Sequence, residues 1–148
     1  MSFGKKNTKN LLIDMKIILT GAAGFIGFHT TKFLCRKNIV VGIDNLNDYY
    51  DVKLKKKRLK KLKELKNFKF IQSDIQDLKL KKNLNYLNEQ KKFNCIINLA
   101  AQAGVRHSFK DPYSYINSNI LGQLNMLEIA KSLKIKRFIY ASSSSVYG

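Results

Sequence analysis

Apolar residues gather along this chain in five short runs: KIILT at 16–20, IVVGID at 39–44, FKFIQ at 68–72, CIINL at 95–99 and RFIYA at 137–141. Each is about five residues long and apolar at most positions, with β-branched residues prominent. Strands covered on both faces of a parallel sheet have this composition. Between the runs lie residues 25–37, about 50–66, about 78–92 and 112–133, each segment long enough for a helix. The last is the best defined. Asp111 is positioned to cap it, Pro112 suits its first turn, and Ile116, Ile120, Leu124 and Leu127 recur along one face. Such alternation predicts the α/β class: a doubly wound parallel sheet of about five strands with right-handed crossovers, whose order would be 3-2-1-4-5 if the fold is of the type that the motifs below imply.

No repeat or Pro/Gly-rich linker divides the chain, so residues 15–148 read as one domain. Residues 1–14 hold only a three-residue apolar run and read as a disordered tail, with Met15 as an alternative start. No stretch approaches the roughly 18 apolar residues of a membrane span, and the N-terminus lacks a signal peptide's apolar core. Cys35 and Cys95 stand 60 positions apart without a CxxC or a nearby His, so neither a metal site nor a disulfide is expected. A reducing cytoplasm fits that usage.

The net charge of +18 over 148 residues changes the picture only in part. It comes from 24 Lys and just 4 Arg, whereas nucleic-acid readers lean on the bidentate guanidinium. The densest run, 53–66, carries nine basic residues against Glu64, with Leu54, Leu59, Leu62 and Leu65 at helical spacing. That is an amphipathic helix with a solvated lysine face. A nucleic-acid partner is not expected. Anionic small molecules would still be drawn in by the field.

The chemistry concentrates after the first strand, in GAAGFIG. Gly21 allows the tight strand-to-helix turn, Gly24 lets backbone approach a pyrophosphate, and Gly27 permits close packing of the helix. Between a strand and a helix this is a dinucleotide signature. Asp44 ends the second strand, 17 residues past Gly27, where a carboxylate accepts from an adenosine ribose. It would repel a 2′-phosphate, and no Arg follows it closely, so NAD is expected over NADP. Ser73, Asp74 and Ile75 form a polar edge suited to adenine, and small residues from Leu99 to Gly104 leave room at the end of a central strand.

These motifs, together with DNLNDYYD after the second strand, LAAQAGVRHS after the fourth and YASSSSVYG after the fifth, resemble the extended short-chain dehydrogenase/reductase family. Within it the chain is most similar to the NAD-dependent nucleotide-sugar epimerases and dehydratases, above all the UDP-glucuronate 4-epimerases. UDP-galactose 4-epimerases, sugar-nucleotide dehydratases and a non-catalytic dinucleotide-binding module remain the alternatives. The resemblance implies a Rossmann-type fold with Ala23, Gly24, Phe25 and Ile26 on the pyrophosphate, and Asp44 and Asn45 on the ribose with Asn47 nearby. It implies Asp74 and Ile75 at the adenine, and Leu99, Ala100, Ala101 and Ala103 along the groove. Asn119 resembles the asparagine that braces the cofactor site, although it equally suits a buried backbone group. Ser143 matches the family's active-site Ser/Thr, which would hydrogen-bond the sugar 4-hydroxyl. Ser144 and Ser145 would reach the UDP-sugar substrate. Arg106 either attracts that anion or is a solvated loop arginine.

No YxxxK pair follows the fifth strand within these 148 residues, where the resemblance places the family's base, nor do the later strands and the substrate-binding portion. The expectation is a truncated, N-terminal part of such an enzyme, inactive alone. Full-length members are homodimers, a state expected to be doubtful for this chain.

Overall fold

The computed structural model describes residues 15–147. The expected tail at 1–14, like Gly148, lies outside them. Five parallel strands, β1 (Lys16–Thr20), β2 (Ile39–Asp44), β3 (Phe68–Gln72), β4 (Cys95–Asn98) and β5 (Arg137–Tyr140), form one sheet in the order β3-β2-β1-β4-β5. The first three coincide with the predicted runs. The last two end one residue early, where the chain turns into the loops of the cleft described below. Among the described residues, no helix is long and apolar enough to cross a membrane.

Register is fixed by the apolar core. Ile18 of β1 pairs with Val41 of β2 and with Ile96 of β4, and all three are fully buried. On one face, α1 (Phe25–Leu34) and α2 (Val52–Lys63) cover Leu19, Val40 and Phe68. On the other, α3 (Lys79–Gln90) and α5 (Gln123–Ser132) cover Ile18, Val41, Ile43 and Ile96 through Leu80, Leu84, Met126 and Ile129. Both cysteines lie within this core as free thiols, and burial pushes Cys35 up to about 11.

Three elements depart from expectation. In α2, Leu59 and Leu62 are buried, but Leu54 is 44% exposed and Lys55 takes its place on the inner face. The helical segment after Asp111 is α4 (Pro112–Tyr115), a π-helical stretch (Ile116–Gly122) and α5 in unbroken succession. Asp111 caps it, its side chain accepting from the Ser114 N–H at 3.2 Å. The stripe of Ile116, Ile120, Leu124 and Leu127 faces solvent, while Met126, Ile129 and Ala130 face the core. In α5 the inward spacing is that of Met126, Ile129 and Ala130, so Leu124 and Leu127 fall on the outer face. Finally, β5 is an open edge, with Ile139 and Tyr140 exposed instead of doubly covered.

Candidate dinucleotide cleft

Order reverses between β1 and β4, and the crevice of an open α/β sheet opens at the carboxyl ends of such a pair. There the chain forms a cleft of about 430 Å³, within the roughly 300–1,000 Å³ of small-molecule sites.

Its floor is the turn from β1 into α1. Gly21 has φ +70°, which favours glycine, and its carbonyl accepts from the Gly24 N–H at 3.0 Å. Gly27 lies so close beneath that a Cβ there would sit 1.9 Å from the Gly21 carbonyl oxygen. The close packing expected of Gly27 is therefore against this turn. No side chain caps α1, so the N–H groups of its first turn have no cap. Gly24 at that end presents no side chain to the cleft, and Phe25 and Ile26, both exposed, line it. An uncapped N-terminus beside a glycine is an anion seat.

Asp44 is buried at the end of β2. One carboxylate oxygen accepts from the Ala23 N–H at 2.9 Å and the other from the Leu46 N–H at 2.8 Å. The loop-capping role thus coexists with a place on the cleft wall, because each oxygen keeps a second lone pair. Ala23 itself is buried and does not line the cleft. Asn45 donates to Asp74 at 2.9 Å, joining the ends of β2 and β3, and both line the cleft with Asn47 and Ile75. Asn47 also accepts from the Lys55 ammonium through its backbone carbonyl, at 2.9 Å, and its side chain.

The opposite wall leaves β4. The Thr20 hydroxyl donates to Asn98 and accepts from the N–H groups of Leu99 and Ala100, at 3.1 and 3.0 Å. Leu99, Ala100, Ala101 and Ala103 then line the cleft. Asn119 does not line it. Its amide instead grips the Gln102 backbone from both sides, accepting from the N–H at 2.8 Å and donating to the carbonyl at 2.9 Å. Beyond Gln102, Gly104 has φ +94°, and the Tyr115 hydroxyl donates to the Ala103 carbonyl at 2.9 Å. His107 packs on Tyr49 with ring centroids 4.9 Å apart, and Arg106 is exposed on the adjoining rim. His29 is exposed on α1, in edge contact with Phe25 and Phe28.

Ser143 is exposed beyond β5 and is not among the lining residues. Ser144 and Ser145 belong to the short 3-10 turn Ser144–Tyr147, and their side chains lie outside what is described. The sequence reading missed Lys55, Arg58, Tyr49 and Ser118, all on the cleft wall. For Lys55 and Arg58 a signal existed: each sits four positions before a buried leucine, Lys55 before Leu59 and Arg58 before Leu62, on the inward side of α2.

Compared with known proteins, residues 18–148 match the profile of the family described as GDP-mannose 4,6 dehydratase. The chain is 46% identical to the UDP-glucuronate 4-epimerase of Thermodesulfobacterium geofontis over 131 residues, which is 88% of this chain and 40% of that protein. It is 45% identical to UDP-glucuronate 4-epimerase 2 of Arabidopsis thaliana over 149 residues, 99% of this chain and 33% of that one. A similar solved structure is UDP-glucuronic acid 4-epimerase from Bacillus cereus in complex with UDP-glucuronic acid and NAD. Its TM-score is 0.80 at 39% identity, over 90% of this chain and 42% of that one. The chain thus spans well under half the length of each.

Proposed function

The chain belongs to the GDP-mannose 4,6-dehydratase family, and from that premise we propose that it holds NAD for a nucleotide-sugar 4-epimerase acting on UDP-glucuronate. The observation that carries this reading is the uncapped N-terminus of α1 opening, beside Gly24, onto a cleft that also gathers Asp44, Asp74 and the small residues after β4. The residues fit the cofactor. Phe25 and Ile26 would offer backbone N–H groups to the pyrophosphate, and the Asp44 carboxylate, held from behind by Ala23 and Leu46, would accept from the ribose hydroxyls. Asn45 and Asp74, already bonded to each other, would frame the adenine end with Ile75. Asn119 acts at one remove: it keeps the Gln102 backbone in place, and with it the wall from Leu99 to Ala103.

NAD bound there would supply reversible hydride removal at the sugar's C4. The protein's task is to hold the 4-hydroxyl and its proton in line with that transfer. Ser143 would orient the hydroxyl, Ser144 and Ser145 the neighbouring groups of the sugar, and Arg106 would draw in the anionic diphosphate. The B. cereus and T. geofontis names both specify UDP-glucuronate or its acid form, which is the support for that substrate. A homodimer of the full-length protein that uses the helix carrying Asn119, a state doubtful for this chain by itself, and a cytoplasmic location belong to the same proposal.

Calorimetric titration of the 148-residue chain with NAD tests it. Saturable 1:1 binding is expected. Gly24→Val, which sets a branched side chain in the phosphate seat, should abolish binding while circular dichroism stays that of the parent. Gly24 has φ −66° and ψ 174°, backbone that valine adopts without strain. Normal NAD binding by this variant would withdraw the phosphate seat from the reading.

A further inference from the structure

Helix α2 brings a second charge to the adenosine end of the cleft. Asp51 caps the helix, accepting from the Lys53 N–H at 2.7 Å, and this sets the turn on which Lys55 and Arg58 face inward. Lys55 is committed to Asn47. Arg58, half-buried three residues on, donates from Nη1 to the Ala23 carbonyl at 3.4 Å, and its guanidinium carbon lies 5.7 Å from the centre of the Phe25 ring. Ala23 is thereby held at both ends: its N–H by the Asp44 carboxylate, its carbonyl by Arg58. A full positive charge stands across one residue from the carboxylate expected to exclude a 2′-phosphate. Among the described residues the guanidinium makes one long hydrogen bond, to a neutral carbonyl, so donors of its fork remain for an anion.

We propose that Arg58 sets how strongly this cleft discriminates between dinucleotides with and without a phosphate on the adenosine ribose, by opposing the field of Asp44. The proposal rests on the reading that the cleft holds adenosine at Asp44. Asp44 already accepts a backbone hydrogen bond on each oxygen, which spreads part of its charge, whereas the Arg58 cation is permanent. NADP should therefore bind measurably, more weakly than NAD but without the near-complete exclusion that an unopposed carboxylate imposes. In sequence Arg58 lies 14 residues beyond Asp44, too far to be read as its neighbour.

The experiment is parallel calorimetric titration of NAD and NADP into the parent chain, Arg58→Gln and Arg58→Lys. In Arg58→Gln, NADP affinity should fall about tenfold more than NAD affinity, as loss of one nearby unit charge predicts at protein-surface dielectric. Arg58→Lys, which keeps the charge without the fork, should fall between Gln and the parent. Equal loss for both cofactors, or no change in their ratio, overturns the proposal. So does a parent chain that binds NAD and shows no NADP binding at millimolar concentration. A parent chain that binds neither refutes instead the reading of the cleft itself.

Discussion

Two glycines three positions apart do different work. A methyl group on Gly24 would come 3.1 Å from the Gly21 carbonyl oxygen, a compression the turn absorbs by shifting a few tenths of an ångström. On Gly27 it would come to 1.9 Å from the same atom and 2.7 Å from the carbonyl carbon, both backbone. In an ordinary helix interior Gly→Ala stabilises by roughly 0.5–1 kcal/mol. Here overlap reverses the sign. Gly27→Ala should lose about 3 kcal/mol or more in urea unfolding, while Gly24→Ala should stay within about 1 kcal/mol. Equal midpoints for the two would mean that the turn yields more readily than its geometry implies. At this scale the sequence was most legible where one residue's chemistry stands on its own: Asp44 at a strand end, glycines at a turn. It was least legible where a contact depends on the chain returning. Arg58 reaches Ala23 across 35 positions and Thr20 reaches Leu99 across 79, and no local pattern encodes either.

At the scale of elements, the strands were read almost to the residue because burial on both faces leaves an unbroken apolar run, as in the fully buried β1. Helices were read less well, because amphipathic spacing reports a face without saying what lies against it. The stripe of Ile116, Ile120, Leu124 and Leu127 satisfies that spacing, yet all four are exposed: the first two lie in the π stretch of Ile116–Gly122, and in α5 it is Met126, Ile129 and Ala130 that face the core. The same stretch brings Asn119 to Gln102, a pairing that the asparagine alone suggested without its partner. Contiguous apolar surface on a water-facing helix promotes association. The double variant Ile120→Glu, Leu124→Glu should therefore keep its unfolding free energy within about 0.5 kcal/mol per site. In light scattering it should show a lower apparent mass than the parent at high concentration. A mass that depends on concentration identically in both would remove the stripe from any role in association.

Across the whole molecule, the +18 charge is spread over a surface of lysines, and the fold beneath it is organised by strand order. The alternation of runs and helices was enough to give a doubly wound parallel sheet with right-handed crossovers, and the order itself came with the Rossmann-type fold that the motifs implied. What the pattern did not give was the open side of β5, because an edge strand and a covered one of four residues look alike in sequence. The order also dictates a schedule of assembly. The strand synthesised first stands in the centre, pairing with β2 at once but with β4 only across a span of 78 positions, from Ile17 to Cys95. Pairings that distant form late, because the loop must close before its contacts repay the entropy. During synthesis β1, β2 and β3 would gather under α1 and α2 as a half-sheet, with Ile18, Val41 and Ile43 bare on the other side. The Thr20 hydroxyl would wait there for Leu99 and Ala100. Pulse-labelling hydrogen exchange during refolding should thus protect amides of β2 before those of β4, and simultaneous protection would count against this schedule. The two walls of the cleft are made at different times, and a dinucleotide has nothing complete to bind until the second arrives.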